Sequence, residues 1–489
     1  MGISCWCGFI HSWKARKHET RPERSEQLRL VVTELSGRQL ELQVSPATCV
    51  AHVRQRLLDA LGLDPQLVDL RLVSGHRLLK DAEIVSDLPT LDVQLVRVKM
   101  PTFTVLEPKV FSSERYLAAG VLALNGRIYF APYNASRVLC IDSERDTAEQ
   151  LGPEIPGSDR YSSAGVLAPN GKIYFAPRGA SRVLCIDPEA SAVTMLGPEI
   201  NGVGSYSSPG VLAPNGKIFF APYNAGRVLC IDPERSTARQ LGPVIRSLGS
   251  YVAAGTLAPN GKIYFAPYGA SQVLCVDPER STVKMLEPEL ESSCRYFSAG
   301  VLAPNGKIYF APRGASQVLC IDPEADAVEM LGGEIDSSSG YWAGGVLARN
   351  GKIYYAPGAG PGGQVLCVDP AASSAEMMGP KIIGCGSYVA PGALAPNGKI
   401  YFVPRAGRGV LCVDPDRGSV EQIGADIKVC CVAAGVLGRT GKIYFAPYAT
   451  SRFLCIDPER SAAEMLGPEV EGGGSYVAAG MLAPNGKIY

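Results

Sequence analysis

A unit of about 45 residues recurs nine times in this chain, and no other feature restricts its possible folds as much. The copies begin at Tyr116, Tyr161, Tyr206, Tyr251, Tyr296, Tyr341, Tyr388, Cys431 and Tyr476, evenly spaced except for one interval of 47 residues and one of 43. At this period each copy is one supersecondary unit that buries its apolar surface only against its neighbours. The copy from Tyr161 reads YSSAGVLAPNGKIYFAPRGASRVLCIDPEASAVTMLGPEI. In it, GVLA and KIYFAP flank Asn170-Gly171, a hairpin signal whose two-residue form asks for positive φ at both residues. RVLCID is a third strand, halted at Asp187-Pro188 because proline cannot donate to a ladder and presets a turn. AVTMLG is a fourth, and no part of the copy has the spacing of an amphipathic helix. Four short strands per copy is the arithmetic of a propeller blade, so the expected fold is mainly β, a β-propeller of stacked blades.

The blade count is less direct. Thr102 to Val110 matches the fourth strand of a copy, eight full copies follow, and APNGKIY places Tyr489 inside the second strand of a ninth. Propellers commonly have four to eight blades, so eight four-stranded blades are expected, with the extra strands packed at the seam and nine blades as the alternative.

The copy resembles the NHL-type propeller repeat in Gly165-Val166, Lys172-Ile173-Tyr174, Arg182-Val183 and Asp187-Pro188. The likeness covers residues 103–489. It departs from that family where an aspartate commonly follows the second strand, since Pro132, Pro177 and Pro222 stand there. The resemblance implies a binding platform for protein or RNA.

Residues 28–98 differ in kind. Alternation from Leu28 to Val44 across Ser36-Gly37 predicts a hairpin, and Val50, Val53, Leu57 and Leu61 have helical spacing ended by Gly62. With strand-like runs near Leu70 to Val73 and Val93 to Val98, and with Pro46, Gly62, Pro65, Gly75 and Ser86 to Leu88 in matching places, this segment resembles a small α+β ubiquitin-like (β-grasp) domain. That implies contact with a ubiquitin-pathway factor. Arg71 falls near the centre of the family's apolar recognition patch, and the chain runs on with no Gly-Gly at the family's conjugation point. Upstream, residues 1–27 read as a flexible leader; Gly2 could accept myristate and Cys5 and Cys7 palmitate, with Lys14, Arg16 and Lys17 adding basic charge. Trp6 stands where the acylation pattern wants Ser or Thr, and the plainer reading is a disordered basic leader. The domain boundaries expected are 1–27, 28–98 and 102–489.

Lysines and arginines equal aspartates and glutamates at 47 each, so no global field recruits nucleic acid or an anionic membrane. All four histidines (His11, His18, His52 and His76) precede the repeats, which removes the Ser-His-Asp and Cys-His arrangements from them. Eight cysteines recur in the middle of the third strand (Cys140, Cys185, Cys230, Cys275, Cys320, Cys367, Cys412, Cys455), where a thiol packs as a small hydrophobe. The repeated aspartate before proline reads as a turn initiator, since one carboxylate per blade lacks the converging oxygens calcium needs. GAGPGGQ, from Gly358 to Gln364, joins strands and opens no helix, so it is an insertion and no phosphate cradle.

The loop between the second and third strands is the informative one. Just after its proline stand Tyr133, Arg178, Tyr223, Tyr268, Arg313, Arg405 and Tyr448, and Arg137, Arg182, Arg227 and Arg452 close several of these loops. Tyr and Arg are what binding surfaces enrich, so these residues form the candidate partner-binding face. The expectation is a non-enzymatic, cytoplasmic interaction scaffold without catalytic residues, metal or cofactor. Its propeller holds a protein partner, its ubiquitin-like segment contacts a second factor, and weak membrane association through the leader is open. An RNA-binding propeller is the alternative, and a propeller lactonase or hydrolase a more remote one.

Overall fold

The computed structural model describes residues 28–489 apart from 35–37, 62–67, 75–76, 80–82, 86–87, 89–91, 100–105, 107–115, 201–204, 292–294, 336–339, 359–362, 383–386, 468 and 470–475. The leader with Gly2, Cys5 and Cys7, most of the strand expected at 102–110, and the middle of the GAGPGGQ insertion lie outside the described residues. The chain divides into two compact units, 1–103 and 104–489. Among the described residues no helix is long and apolar enough to cross a membrane.

In the first unit, β1 (Leu28–Glu34), β2 (Gln39–Val44), β3 (Val68–Ser74), β4 (Arg77–Leu78) and β5 (Asp92–Lys99) form one sheet in the order β2-β1-β5-β3-β4. Only the central β1–β5 pair is parallel. The helix α1 (Val50–Leu61) presents Val50, Val53 and Leu57 to a core shared with Leu30, Val32, Leu42, Val44, Leu70, Leu72 and Val93. The i, i+3, i+7 stripe on the helix and the alternate residues of the strands are what meet there.

The second unit contains eight four-stranded antiparallel sheets, each built from one copy in chain order. Blade 1 comprises Val121–Leu122, Arg127–Phe130, Val138–Asp142 and Thr147–Leu151; blade 2 comprises Val166–Leu167, Ile173–Phe175, Val183–Asp187 and Ala192–Leu196. The strands alternate faces, and both faces are apolar, so the core lies between blades. Tyr129, Ala131, Val138 and Cys140 of blade 1 meet Ile173, Phe175, Leu184 and Ile186 of blade 2, and the same pattern recurs around the array. Tyr161 is buried in that junction, and its hydroxyl donates to the Arg182 carbonyl at 3.0 Å. Gly165 follows from close packing, because a Cβ there would sit 2.5 Å from the Phe175 ring.

The Asn-Gly turn differs from the expectation. Gly171 has φ of 77°, but none of the repeat asparagines among the described residues has positive φ. Gly171 N–H donates to the Ala168 carbonyl at 3.0 Å and Ala168 N–H to Lys172 at 2.9 Å, so the loop is a longer one closed by a left-handed glycine. Pro169 has no N–H to donate to Lys172, as the two-residue form would require, and its fixed φ suits the first corner of the longer loop. The asparagine side chain is used elsewhere. Asn170 Oδ1 accepts Lys172 N–H at 3.1 Å, and its Nδ2 donates to the Tyr174 hydroxyl at 3.1 Å and to the Pro233 carbonyl of the next blade at 3.0 Å. Asn125, Asn215, Asn260, Asn305, Asn350 and Asn397 staple their own next blades in the same way.

Residues 476–489 pack at the seam as the two inner strands of a ninth blade position. Leu482 and Ile488 form a bridge, and Met481, Ala483 and Tyr489 pack on Ile128, Phe130, Leu139 and Ile141 of blade 1. Asn485 donates to the Ser143 carbonyl, and Tyr489 hydroxyl does so at 3.1 Å. Lys487 and Tyr489 both bond Asp146. The asparagine staple of the ordinary junctions recurs at this seam, while the Lys487 and Tyr489 bonds to Asp146 are matched by those of Lys262 and Tyr264 to Asp326. Eight blades are complete, and the ninth position is occupied by two strands.

Candidate partner-binding face

The antiparallel order puts every second-to-third-strand loop at one end of the propeller, beside the connections between blades. Backbone hydrogen bonds weave the two together. Arg160 N–H donates to the Tyr133 carbonyl at 3.0 Å and Arg178 N–H to the Arg160 carbonyl at 2.8 Å; Tyr223 and Tyr268 N–H donate to Ser205 and Ser250, each at 2.9 Å. Arg313, Arg405 and Tyr448 are tied likewise to Arg295, Ser387 and Cys430. The residue after each proline is therefore held in place by its own main chain.

Side chains from neighbouring blades then pair around this end. Arg178 stands over the Tyr133 ring, 5.8 Å from its centroid, and donates to its hydroxyl at 3.1 Å. Arg313 does the same to Tyr268 at 5.3 Å and 2.6 Å, and Arg405 lies 6.0 Å from the Tyr448 ring. Tyr223 instead lies against Gly249, where a Cβ would touch its ring at 3.4 Å. Partial burial pushes the Tyr133 phenol up from its ordinary value, reinforced by Asp159 and opposed by Arg178. The loop-closing arginines behave differently. Arg137 pairs with Glu154 at 3.5 Å and Arg182 with Glu199 at 3.3 Å, both exposed pairs, while Arg227 and Arg452 extend into solvent. The candidate residues thus separate into an inner set stacked on aromatic rings and an outer set facing the rim.

Three important contributors are absent from the sequence-based set. Phe297 and Trp342 follow the first tyrosine of their copies, where the others carry Leu117, Ser162, Ser207, Val252, Val389, Val432 and Val477. Their size is the signal that marks them. Both join Arg313, whose guanidinium lies 5.0 Å from the Phe297 ring and 3.9 Å from that of Trp342. The third is Arg160, buried beneath the face: its Nε donates to the Ile155 carbonyl at 2.6 Å and its Nη1 to Ala135 at 2.8 Å. Burial lowers its pKa from the ordinary arginine value.

The opposite end carries the Asp-Pro turns, and the repeated aspartates do initiate them. Asp187 accepts the Ala190 N–H at 3.0 Å and pairs with Lys172 at 3.1 Å. Blade 4 keeps the turn, with Asp277 accepting the Arg280 N–H at 2.9 Å, but its lysine has another partner. Lys262 reaches across to Asp326 of blade 5 at 2.8 Å, joined there by Lys284 at 2.5 Å and the Tyr264 hydroxyl at 2.8 Å, beside a cavity of about 120 Å³ lined by Lys262, Cys275, Asp277, Arg280, Thr282 and Lys284. Partial burial alone would raise the Asp326 carboxyl; hydrogen bonds from Lys262, Lys284 and Tyr264 outweigh it and hold it at about 2. The third-strand cysteines are buried, and burial pushes the Cys140, Cys275, Cys320 and Cys412 thiols up to about 11. Among the described residues no three His, Cys, Asp or Glu side chains group so as to hold a metal.

No protein-family model and no curated protein matches this chain. Among solved structures it is similar to selenomethionine-substituted virginiamycin B lyase from Staphylococcus aureus, at 13% identity over 60% of this chain and 92% of that one, with a TM-score of 0.41. A protein from Lactobacillus plantarum matches at 15% identity over 62% and 96%, with a TM-score of 0.43. The dihydro-heme d1 dehydrogenase NirN matches at 13% identity over 76% and 78%, with a TM-score of 0.47.

Proposed function

We propose that the chain is a non-enzymatic interaction scaffold whose propeller end with Tyr133, Arg178, Tyr268, Arg313, Arg405 and Tyr448 holds a protein partner. One observation carries the reading: tyrosines and arginines from different blades meet in pairs at a single end, on loops pinned by their own backbone. Such a surface needs little ordering on binding, which is the main source of efficiency in an interface. The lack of histidine in the repeats favours binding over catalysis.

The N-terminal unit is, in this proposal, a ubiquitin-like domain that contacts a second factor. Its strand order, with the parallel central pair and one helix packed on the sheet, supports that reading. The scaffold acts in the cytoplasm, and acylation at Gly2, Cys5 or Cys7 would add a membrane hold. Affinity purification with mass spectrometry tests the two-handed arrangement. One set of proteins should be lost when residues 28–98 are removed, and another when Tyr133, Arg178, Tyr268 and Arg313 are replaced by alanine. A partner list unchanged by both alterations refutes it.

RNA binding is the second reading, favoured by the guanidinium–aromatic stacks, on which unpaired bases also stack. A mobility shift with a steep salt slope would bring it forward.

A further inference from the structure

We infer that Arg313 is the anchor of the partner-binding face and that it takes a carboxylate, an Asp or Glu side chain of a short peptide segment flanked by apolar residues. The inference rests on the propeller end being the binding surface, and it names the partner's chemistry. Among the described arginines Arg313 alone has three rings about it: Trp342 at 3.9 Å, Phe297 at 5.0 Å and Tyr268 at 5.3 Å surround its guanidinium, and Nη1 donates to the Tyr268 hydroxyl at 2.6 Å. The three rings touch in series, Tyr268 to Phe297 at 6.1 Å and Phe297 to Trp342 at 6.0 Å, so the cage is continuous across blades 4, 5 and 6.

Stacking occupies the faces of a guanidinium and leaves the N–H groups in its plane for an acceptor. Here one is used on Tyr268. Among the described residues no carboxylate lies within ion-pair distance of Arg313, nor of Arg295, which stands 5.7 Å from the same Tyr268 ring. Arg137 and Arg182 show the contrast, since each has a glutamate of its own blade. Two guanidiniums on the Tyr268 ring, with no carboxylate partner among the described residues, make a local positive site in a chain of zero net charge. A fixed fork that needs no ordering is the geometry that recognises carboxylate in two-point fashion.

A phosphate backbone is the poorer fit. The rim carries exposed Glu154, Glu199, Glu287, Glu289 and Glu334 at the ends of the fourth strands, and a polyanion would have to cross it. A lone carboxylate with apolar neighbours reaches Arg313 and sets its flanks on Phe297 and Trp342.

The test is to pan a displayed library of random peptides on the full chain, then measure a synthetic copy of the enriched sequence by fluorescence anisotropy. The expected result is enrichment of Asp or Glu beside apolar residues. Binding should weaken at least tenfold in Arg313→Ala, and also in Arg313→Lys, which keeps the charge and loses the fork. Replacing the peptide's acid by its amide should weaken binding equally. Near-UV circular dichroism checks that the variants keep their fold. Enriched peptides without an acid, or binding indifferent to Arg313, overturn the inference. If such peptides depend on Tyr133 and Arg178 instead, the binding face stands and only the Arg313 assignment falls. If no peptide is enriched, or none depends on any of these residues, both fall. A labelled oligouridine that binds through Arg313 more tightly than the peptide also overturns it, in favour of nucleic acid.

Discussion

Asp326→Asn probes whether the junction between blades 4 and 5 is held by charge. Holding that carboxyl at about 2, against an ordinary value near 3.9, corresponds to about 2.6 kcal/mol if fully realised. The Asp326 side chain is 22% exposed and that of Lys284 is 52% exposed, so solvent screens part of the second pair. A loss of roughly 1.5–2.5 kcal/mol is therefore expected near neutral pH. Asp277→Asn is the control. Its amide oxygen still accepts the Arg280 N–H, so only the pair to the Arg280 side chain, 79% exposed, is lost, at a cost of about 0–1 kcal/mol. The assay is the urea midpoint of the full chain, followed through one transition with an unchanged slope. The sign follows from the lowered pKa. The stabilisation is complete above about pH 4 and disappears as pH falls through about 2, so wild type and variant should converge in acid. A difference below about 0.5 kcal/mol at neutral pH, or a gap that persists near pH 2, would refute the reasoning.

Arg160→Met keeps the apolar stem but strands the carbonyls of Ile155 and Ala135, and should destabilise by about 2–3 kcal/mol in the same urea experiment; a neutral result would show that water replaces the guanidinium. The eight third-strand cysteines should resist iodoacetamide near pH 8 in the native chain and react once it is denatured, read by intact mass, because burial disfavours their thiolates. Native modification at the rate of a free thiol would contradict that placement.

What could be read from the sequence was local. The strands of blade 2 follow from Asn170-Gly171, Asp187-Pro188 and the alternation between them, because those signals act within a few residues. Tyr133, Arg178 and Arg313 could be placed at one end because each follows a strand-ending proline. The pairings could not. Asn170 finds its acceptor 63 residues away in the next blade, and nothing within its own copy distinguishes a turn asparagine from a staple. Phe297 and Trp342 lie in the segments that vary most between copies, and their convergence on Arg313 depends on which blade each side chain faces. Arg160 stands where other copies carry Ser205, Ser250, Arg295 and Gly340, so the repeat pattern does not mark that position as buried.

Near-identical copies raise a question of addressing. A lysine opens the second strand in eight copies (Lys172, Lys217, Lys262, Lys307, Lys352, Lys399, Lys442 and Lys487), so the surface that meets blade 1 at the seam could dock equally on many blades. What differs is the receiving residue. At the end of the Asp-Pro turn, Ser191, Ser236, Ser281, Ser373, Gly418 and Ser461 present no carboxylate; only Asp146 and Asp326 do. Blade 4 engages Asp326 itself, which leaves Asp146 for Lys487 and Tyr489. Blade 1 thereby carries the mark of the ring's origin. A copy gained or lost inside the array would leave that mark untouched, so the circumference could change over generations while the closing partners stay the same.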